Sequence, residues 1–250
     1  MSHTVFSAIN TPLFQPPTPR NNTPMPQLSA LIFDLDGTLV DSAADLRQAL
    51  NRLLAAHNRA PVTLPQVKSM IGDGVQTLLR RAFAATGAPL PGNAEPTAVQ
   101  DFIKFYQSQK ASEDLLYPLA RETISAFRAA NIKIGLCTNK LYLPTLRLLD
   151  DIGIQDQFDF VAGCDTFPTY KPDPGHVLGV ANALKVSPAN SVMIGDSLND
   201  IRAGQGAGLA TIAVAHGYAA DANTLGADAV ISHFSELGRA LRALGFDFVG

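Results

Sequence analysis

LIFDLDGTLVDS, residues 31–42, passes from three large apolar residues to two carboxylates, Asp34 and Asp36, within six positions. The run SALIFDL (29–35) is too short for a helix and reads as a buried strand. Side chains alternate along a strand, so Asp34 and Asp36 point to one side while Leu35 returns to the core. Two carboxylates about 4 Å apart repel by roughly 4 kcal/mol at an effective dielectric of 20. The pair therefore needs a cation, and Gly37 lets the chain turn sharply past the bound group.

Outward from this strand, two patterns follow. Leucines 46, 50, 53 and 54 recur at helical spacing, and TLPQVKSMIG opens with Thr63 and Gln66 in capping-box spacing. VQTLLRRAFAATG and TAVQDFIKFYQSQK extend the helical stretch with no strand among them. After Tyr117-Pro118 helices and strands alternate, with strands in IKIGLCTN, FDFVAG, SVMIGDS, LATIAV and DAVI. That alternation predicts an α/β fold with a doubly wound parallel sheet, a Rossmann-like core, interrupted by an inserted all-helical cap. The expected core comprises residues 29–41 and 117–250, the cap 42–116, and a disordered tail 1–28.

The tail holds six of the chain's 17 prolines and lacks the apolar stretch of a secretory signal. Met25, close to the first strand, offers a second start. The 250 residues are 46% apolar and carry a formal net charge of −3, without the basic excess that a nucleic-acid partner requires. No apolar run reaches the roughly 18 residues of a membrane helix, so no membrane partner is expected. Only Cys137 and Cys164 occur, too few for a disulfide framework, and a reducing cytoplasm is the expected compartment. A monomer or a homodimer suits such a chain.

Four polar clusters each follow an expected strand: Asp34 with Asp36, then Thr138-Asn139-Lys140, then Lys171 after a loop, then Asp196 through Asp200. In a parallel sheet these ends share one edge, where ligands bind. Asp196 adds a third carboxylate, and a site of few carboxylates completed by water and phosphate oxygens suits Mg²⁺ better than calcium. Phosphate monoesters hydrolyse so slowly that catalysis rests on positioning and charge neutralisation. A carboxylate nucleophile, Mg²⁺, Lys171 and a Thr138 hydroxyl supply those elements, with the remaining aspartate to shuttle a proton.

In their order, DLDGT, CTN, YKPDP and GDSLND resemble the four motifs of the haloacid dehalogenase-like superfamily of phosphohydrolases. The resemblance implies Asp34 as nucleophile, Asp36 as general acid and base, and Thr138 and Lys171 as phosphate binders. Gly37, Thr38 and Asn139 join them as candidate substrate contacts. It implies a metal site of Asp34, Asp36 through its backbone carbonyl, Asp196, and Asp200 as a more distant or water-bridged partner. DGTLVDS, IGDGVQTLLRRA, CTNK and GADAVISHFSEL further resemble the phosphoglycolate phosphatases, which implies 2-phosphoglycolate as substrate. A sugar-phosphate mutase, a pyrophosphatase or a non-catalytic phosphate-binding protein is the alternative. One departure stands in YPLARETI, where relatives commonly have a glycine soon after the proline.

Some features read as structural. Asp41 and Ser42 suit the N-cap of the first cap helix, and Asp173-Pro174 suits an N-cap and first helical residue. GQGAG (204–208) reads as a turn, and Phe102, Phe105 and Tyr106 as a core-facing stripe. Arg80 and Arg81 fit a solvated helix face. A substrate carboxylate nevertheless needs a cation, so Arg80 is a candidate selector near the Gly72-Asp73-Gly74 loop.

Overall fold

The computed structural model describes residues 27–248. Six strands, β1 (Ala30–Phe33), β2 (Lys133–Cys137), β3 (Phe160–Ala162), β4 (Ser191–Gly195), β5 (Ala210–Val214) and β6 (Ala229–Ile231), form one parallel sheet. Their spatial order is β3-β2-β1-β4-β5-β6. Leu31 of β1 lies opposite Ile134 of β2 and Val192 of β4. The strand order reverses at β1, which opens a crevice beyond its carboxyl end.

Between β1 and β2 run α1 (Ala43–Ala56), α2 (Leu64–Lys68), α3 (Gly74–Ala85) and α4 (Glu95–Gln107), with no strand among them. Their apolar stripes close on one another. Leu50, Leu53 and Leu54 of α1 meet Leu79 and Phe83 of α3 and Phe102 of α4 in a core separate from that of the sheet. Each such side chain, fully buried, contributes about 1.5–3 kcal/mol. Thr63 and Gln66 form the expected capping box at α2. The expected cap of α1 holds in part: Ser42 occupies the N-cap position and Asp41 Oδ1 accepts from Ala43 N at 3.4 Å, but the Ser42 side chain makes no bond to the helix. Its hydroxyl donates instead to Asp36.

The sheet is covered on both faces. Leu31 and Phe33 pack on Ile124 and Phe127 of α5 (Ala120–Ala129) and on Leu148 and Leu149 of α6 (Tyr142–Asp151). Ala30 and Ile32 point the other way, against Val177 and Val180 of α7 (Pro174–Leu184) and Ala203 of α8 (Leu198–Gly206). The last helix, α9 (Leu237–Ala243), adds Leu237 and Leu241 to the first face. GQGAG does not form a free turn throughout, because α8 continues through Gly206. A Cβ on Gly204 would stand 2.8 Å from side chains of Met193 and Thr211, so glycine there lets α8 lie close against the sheet.

Of the expected tail, residues 1–26 lie outside the described residues. Gln27 bridges to Asp247 and Leu28 is buried in the sheet core, so these two residues, placed in the tail by the sequence, belong to the fold. No helix among the described residues is long and apolar enough to cross a membrane.

Candidate active site

Asp34 and Asp36 lie just beyond the end of β1, with Leu35 between them fully buried, as strand alternation requires. The chain then turns at Gly37, whose φ is +88° and where a Cβ would collide with the Asp196 carboxylate. Only glycine fits both demands. Thr138 and Asn139 follow β2, Lys171 precedes α7, and Asp196 and Asp200 follow β4. Of these seven polar residues, all but Asp36 are buried.

The contacts divide the carboxylates between two lysines. Lys171 Nζ lies 2.7 Å from Asp34 Oδ1 and 2.5 Å from Asp200 Oδ1. Lys140 Nζ lies 3.1 Å from both oxygens of Asp36, which also accepts from the Ser42 hydroxyl. Asp200 completes a capping box with Ser197 at the start of α8, so its cap role and its site role coexist. Asp196 Oδ2 accepts from the backbone N–H of Tyr218 at 2.7 Å. Asn139 Nδ2 donates to the carbonyls of Gly72 and Lys171 at 2.9 and 2.8 Å. Thr138 Oγ1 accepts from Lys140 N at 3.2 Å, which leaves its own proton to donate. Thr38 Oγ1 is buried without a partner.

Carboxylate oxygens of Asp34, Asp196 and Asp200 lie within 4.8 Å of one another, a group able to hold a metal ion. Burial first, then repulsion from Asp200 and Asp36, push Asp34 up to about 7 against the pull of Lys171. Burial and the neighbouring Asp200 and Asp34 raise Asp196 well above the usual carboxylate range. Among the described residues Asp34, Asp36, Asp196 and Asp200 form ion pairs only with Lys140 and Lys171, so ionising all four acids leaves two negative charges uncompensated, which is why Asp34 and Asp196 hold their protons more tightly without a cation. A divalent cation matches that excess, and its hard oxygen donors are already gathered. The Asp36 carboxylate is not part of the gathered group.

A small cavity of about 80 Å³ opens onto these residues. Asp34, Asp36, Thr138, Asn139, Lys140, Lys171 and Asp200 line its sheet side. Ile71, Gly72, Val75, Phe102 and Tyr106 from the helical module line the other. The Gly72-Asp73 loop therefore faces the site, as the sequence suggested. Arg80 does not: it forms two 2.8 Å bonds with Glu95 on α4 and its side chain is 62% exposed. Arg81 holds Asp73 at 2.5 Å and the Met70 carbonyl at 3.0 Å, outside the cavity lining.

Sequence reasoning missed two contributors. Lys140 was visible within the Thr138-Asn139-Lys140 cluster, two residues beyond Thr138. Tyr218 carried no signal, because it reaches Asp196 and Asp41 from a loop after β5. Cys137, fully buried, has its thiol pushed up to about 12 by burial, which makes it inert as expected.

A covered parallel sheet, paired aspartates after its first strand and a lysine clamped between acids define a hydrolase of the haloacid dehalogenase type, and the chain belongs to that family. The model of haloacid dehalogenase-like hydrolases matches residues 28–208. A phosphoglycolate phosphatase of Caulobacter vibrioides is 40% identical over 213 residues, 85% of this chain and 90% of that protein. One from Agrobacterium fabrum is 37% identical over 88% of this chain and 94% of its own length. A solved structure described as a predicted phosphoglycolate phosphatase from Haemophilus somnus matches with a TM-score of 0.78 at 27% identity, covering 85% of this chain and 97% of that one. A β-phosphoglucomutase from Clostridium difficile, at 23% identity and a TM-score of 0.74, shares the fold over 87% of this chain and 99% of its own. The chain is a phosphoric monoester hydrolase, and the resemblance to phosphoglycolate phosphatases is borne out.

Proposed function

We propose that this chain is a Mg²⁺-dependent phosphatase that hydrolyses a small phosphate monoester, 2-phosphoglycolate foremost, through an aspartyl phosphate on Asp34. The observation that carries the reading is the Lys171 ammonium held between Asp34 and Asp200 beside Asp196, with Asp36 two residues from the nucleophile. The names of the relatives from Caulobacter and Agrobacterium support the substrate.

Asp34, Asp196 and Asp200, with the Asp36 backbone carbonyl, would hold the Mg²⁺, whose charge offsets that on the phosphoryl oxygens. An Asp34 carboxylate oxygen attacks phosphorus and the ester P–O bond breaks. Asp36, entering this step protonated, gives its proton to the departing alkoxide. Asp36 then takes a proton from a water that attacks the phosphoenzyme. The P–O bond to Asp34 breaks, and inorganic phosphate and the free carboxylate are restored. Lys171 and the Thr138 hydroxyl bind phosphoryl oxygens in both steps.

The helical module would act as a cap, closing the cavity against bulk water and limiting the substrate to a compact one. The free cysteines suit a reducing cytoplasm. Phosphate release from 2-phosphoglycolate, with and without Mg²⁺, tests the whole scheme. Wild type releases phosphate only with metal, and Asp34→Asn releases none. Full turnover by Asp34→Asn or by chelator-stripped enzyme would overturn it.

A further inference from the structure

We propose that Lys140 reads the negative charge on the leaving-group end of the substrate, so that the site selects phosphate esters bearing a carboxylate over neutral ones. The inference rests on the phosphatase reading above, and it gives Lys140 the selective role that the sequence suggested for Arg80.

The argument begins with the cavity wall. On the helical side the side chains of Leu46, Ile71, Val75, Leu78, Phe102 and Ile103 cannot pair with an anion, and the one polar side chain there, that of Tyr106, is hydrogen-bonded to Lys140. A carboxylate left against those side chains would be desolvated without a partner, which is strongly unfavourable. Among the described residues lining the cavity, Lys140 and Lys171 are the cations. Lys171 is fully engaged by Asp34 and Asp200, and it belongs to the phosphate end. Arg80 and Arg81 are turned to Glu95 and Asp73.

Lys140 is differently placed. Its ammonium has one carboxylate partner, Asp36, and lies 4.6 Å from the ring centre of Tyr106 on α4. It thus sits where the sheet edge meets the helical module, with a flexible stem and three donors. If it turns toward a ligand, Asp36 still accepts from Ser42. The lysine can therefore exchange or share its partner without stranding the acid. The low-dielectric wall opposite strengthens the new pair.

Calorimetric titration with two non-hydrolysable probes, phosphonoacetate and ethylphosphonate, tests this on the Mg²⁺-loaded full chain. Wild type should bind phosphonoacetate the more tightly. Lys140→Met should lose about ten- to a hundredfold of that preference, the range of one charged hydrogen bond. Lys140→Arg should keep most of it. If Lys140→Met does not fold, Lys140→Gln, which can still hydrogen-bond Asp36, carries the same expectation. A wild type without preference, or an unchanged preference when the charge is removed, would overturn the proposal. Absence of phosphate release by wild type would instead sink the phosphatase reading, while the titrations still decide the role of Lys140.

Discussion

The side-chain amide of Asn139 donates to the backbone carbonyl of Gly72 at 2.9 Å, across 67 residues of sequence. The same nitrogen donates to Lys171 O at 2.8 Å. One amide group thus ties together the end of β2, the loop that carries Lys171 and the loop that opens α3. Asn199 reinforces the joint, donating to Asp73 Oδ1 at 2.6 Å.

Asn139→Ala should therefore loosen the joint rather than remove a reacting group. Two neutral hydrogen bonds contribute about 2 kcal/mol together. If both persist in the transition state, kcat/KM on 2-phosphoglycolate falls by about thirtyfold at 1.4 kcal/mol per decade. Amide hydrogen exchange in residues 72–75 should quicken in the same variant. Unaltered exchange together with unaltered kinetics would show that the amide does not hold the loop.

Leu119 precedes α5 with φ of 64° and ψ of 8°, a left-handed conformation. A residue with a Cβ gives up about 1–2 kcal/mol there. The residue is 41% exposed, so truncation gives up only part of a buried leucine's packing. The missing glycine of YPLARETI thus has a local consequence. Leu119→Gly should raise stability by a few tenths to about 1 kcal/mol, after the extra chain entropy of glycine is deducted. Leu119→Ala, which keeps the Cβ, should not stabilise. Urea titrations of both variants check the sign.

The six strands and the helical insert were legible because burial on two faces writes near-continuous apolar runs, as in ALIF and KIGLC, and a single buried stripe writes helical spacing, as in the leucines of α1. Asp34, Lys171 and Asp196 were legible because each follows a strand, and a parallel sheet gathers strand ends at one edge. Side-chain partners across the chain were not. Arg80 read as a selector because spacing places it near the Gly72 loop, but helix rotation turns it to Glu95. Ser42 read as a cap, yet Asp36 takes its hydroxyl. Such choices depend on three-dimensional competition among acceptors, which no local pattern records.

His176 is fully buried, with Nε2 3.1 Å from the Gly163 carbonyl and Nδ1 without a partner. The ring is therefore neutral, with its proton on Nε2. Burial first, then the Lys171 charge, lower it to about 4. Between that value and about 6.5 the unfolded chain binds a proton that the folded chain does not. This contribution to stability is whole above pH ~6.5 and is lost as pH falls towards ~4, by at most about 3 kcal/mol. His176→Leu should be less stable at pH 7.5, because Gly163 loses its donor, but it should lose less further stability on going to pH 5. Parallel pH dependences in urea titrations of the two proteins would refute the assignment.

Asp196 offers the last test, because its charge should harm the metal-free protein and serve the loaded one. It is buried within 4.8 Å of the carboxylate oxygens of Asp34 and Asp200. Asp196→Asn keeps an oxygen for the Tyr218 N–H, which now bonds Oδ2 at 2.7 Å, while removing the like-charge repulsion. Without metal, the variant should melt at or above the wild-type temperature. With Mg²⁺, wild type should gain about 2.7 kcal/mol at a hundred times its Kd, and the variant much less at the same concentration. Thermal melts across a Mg²⁺ titration read both effects. Equal Mg²⁺ responses in the two proteins would remove Asp196 from the metal site.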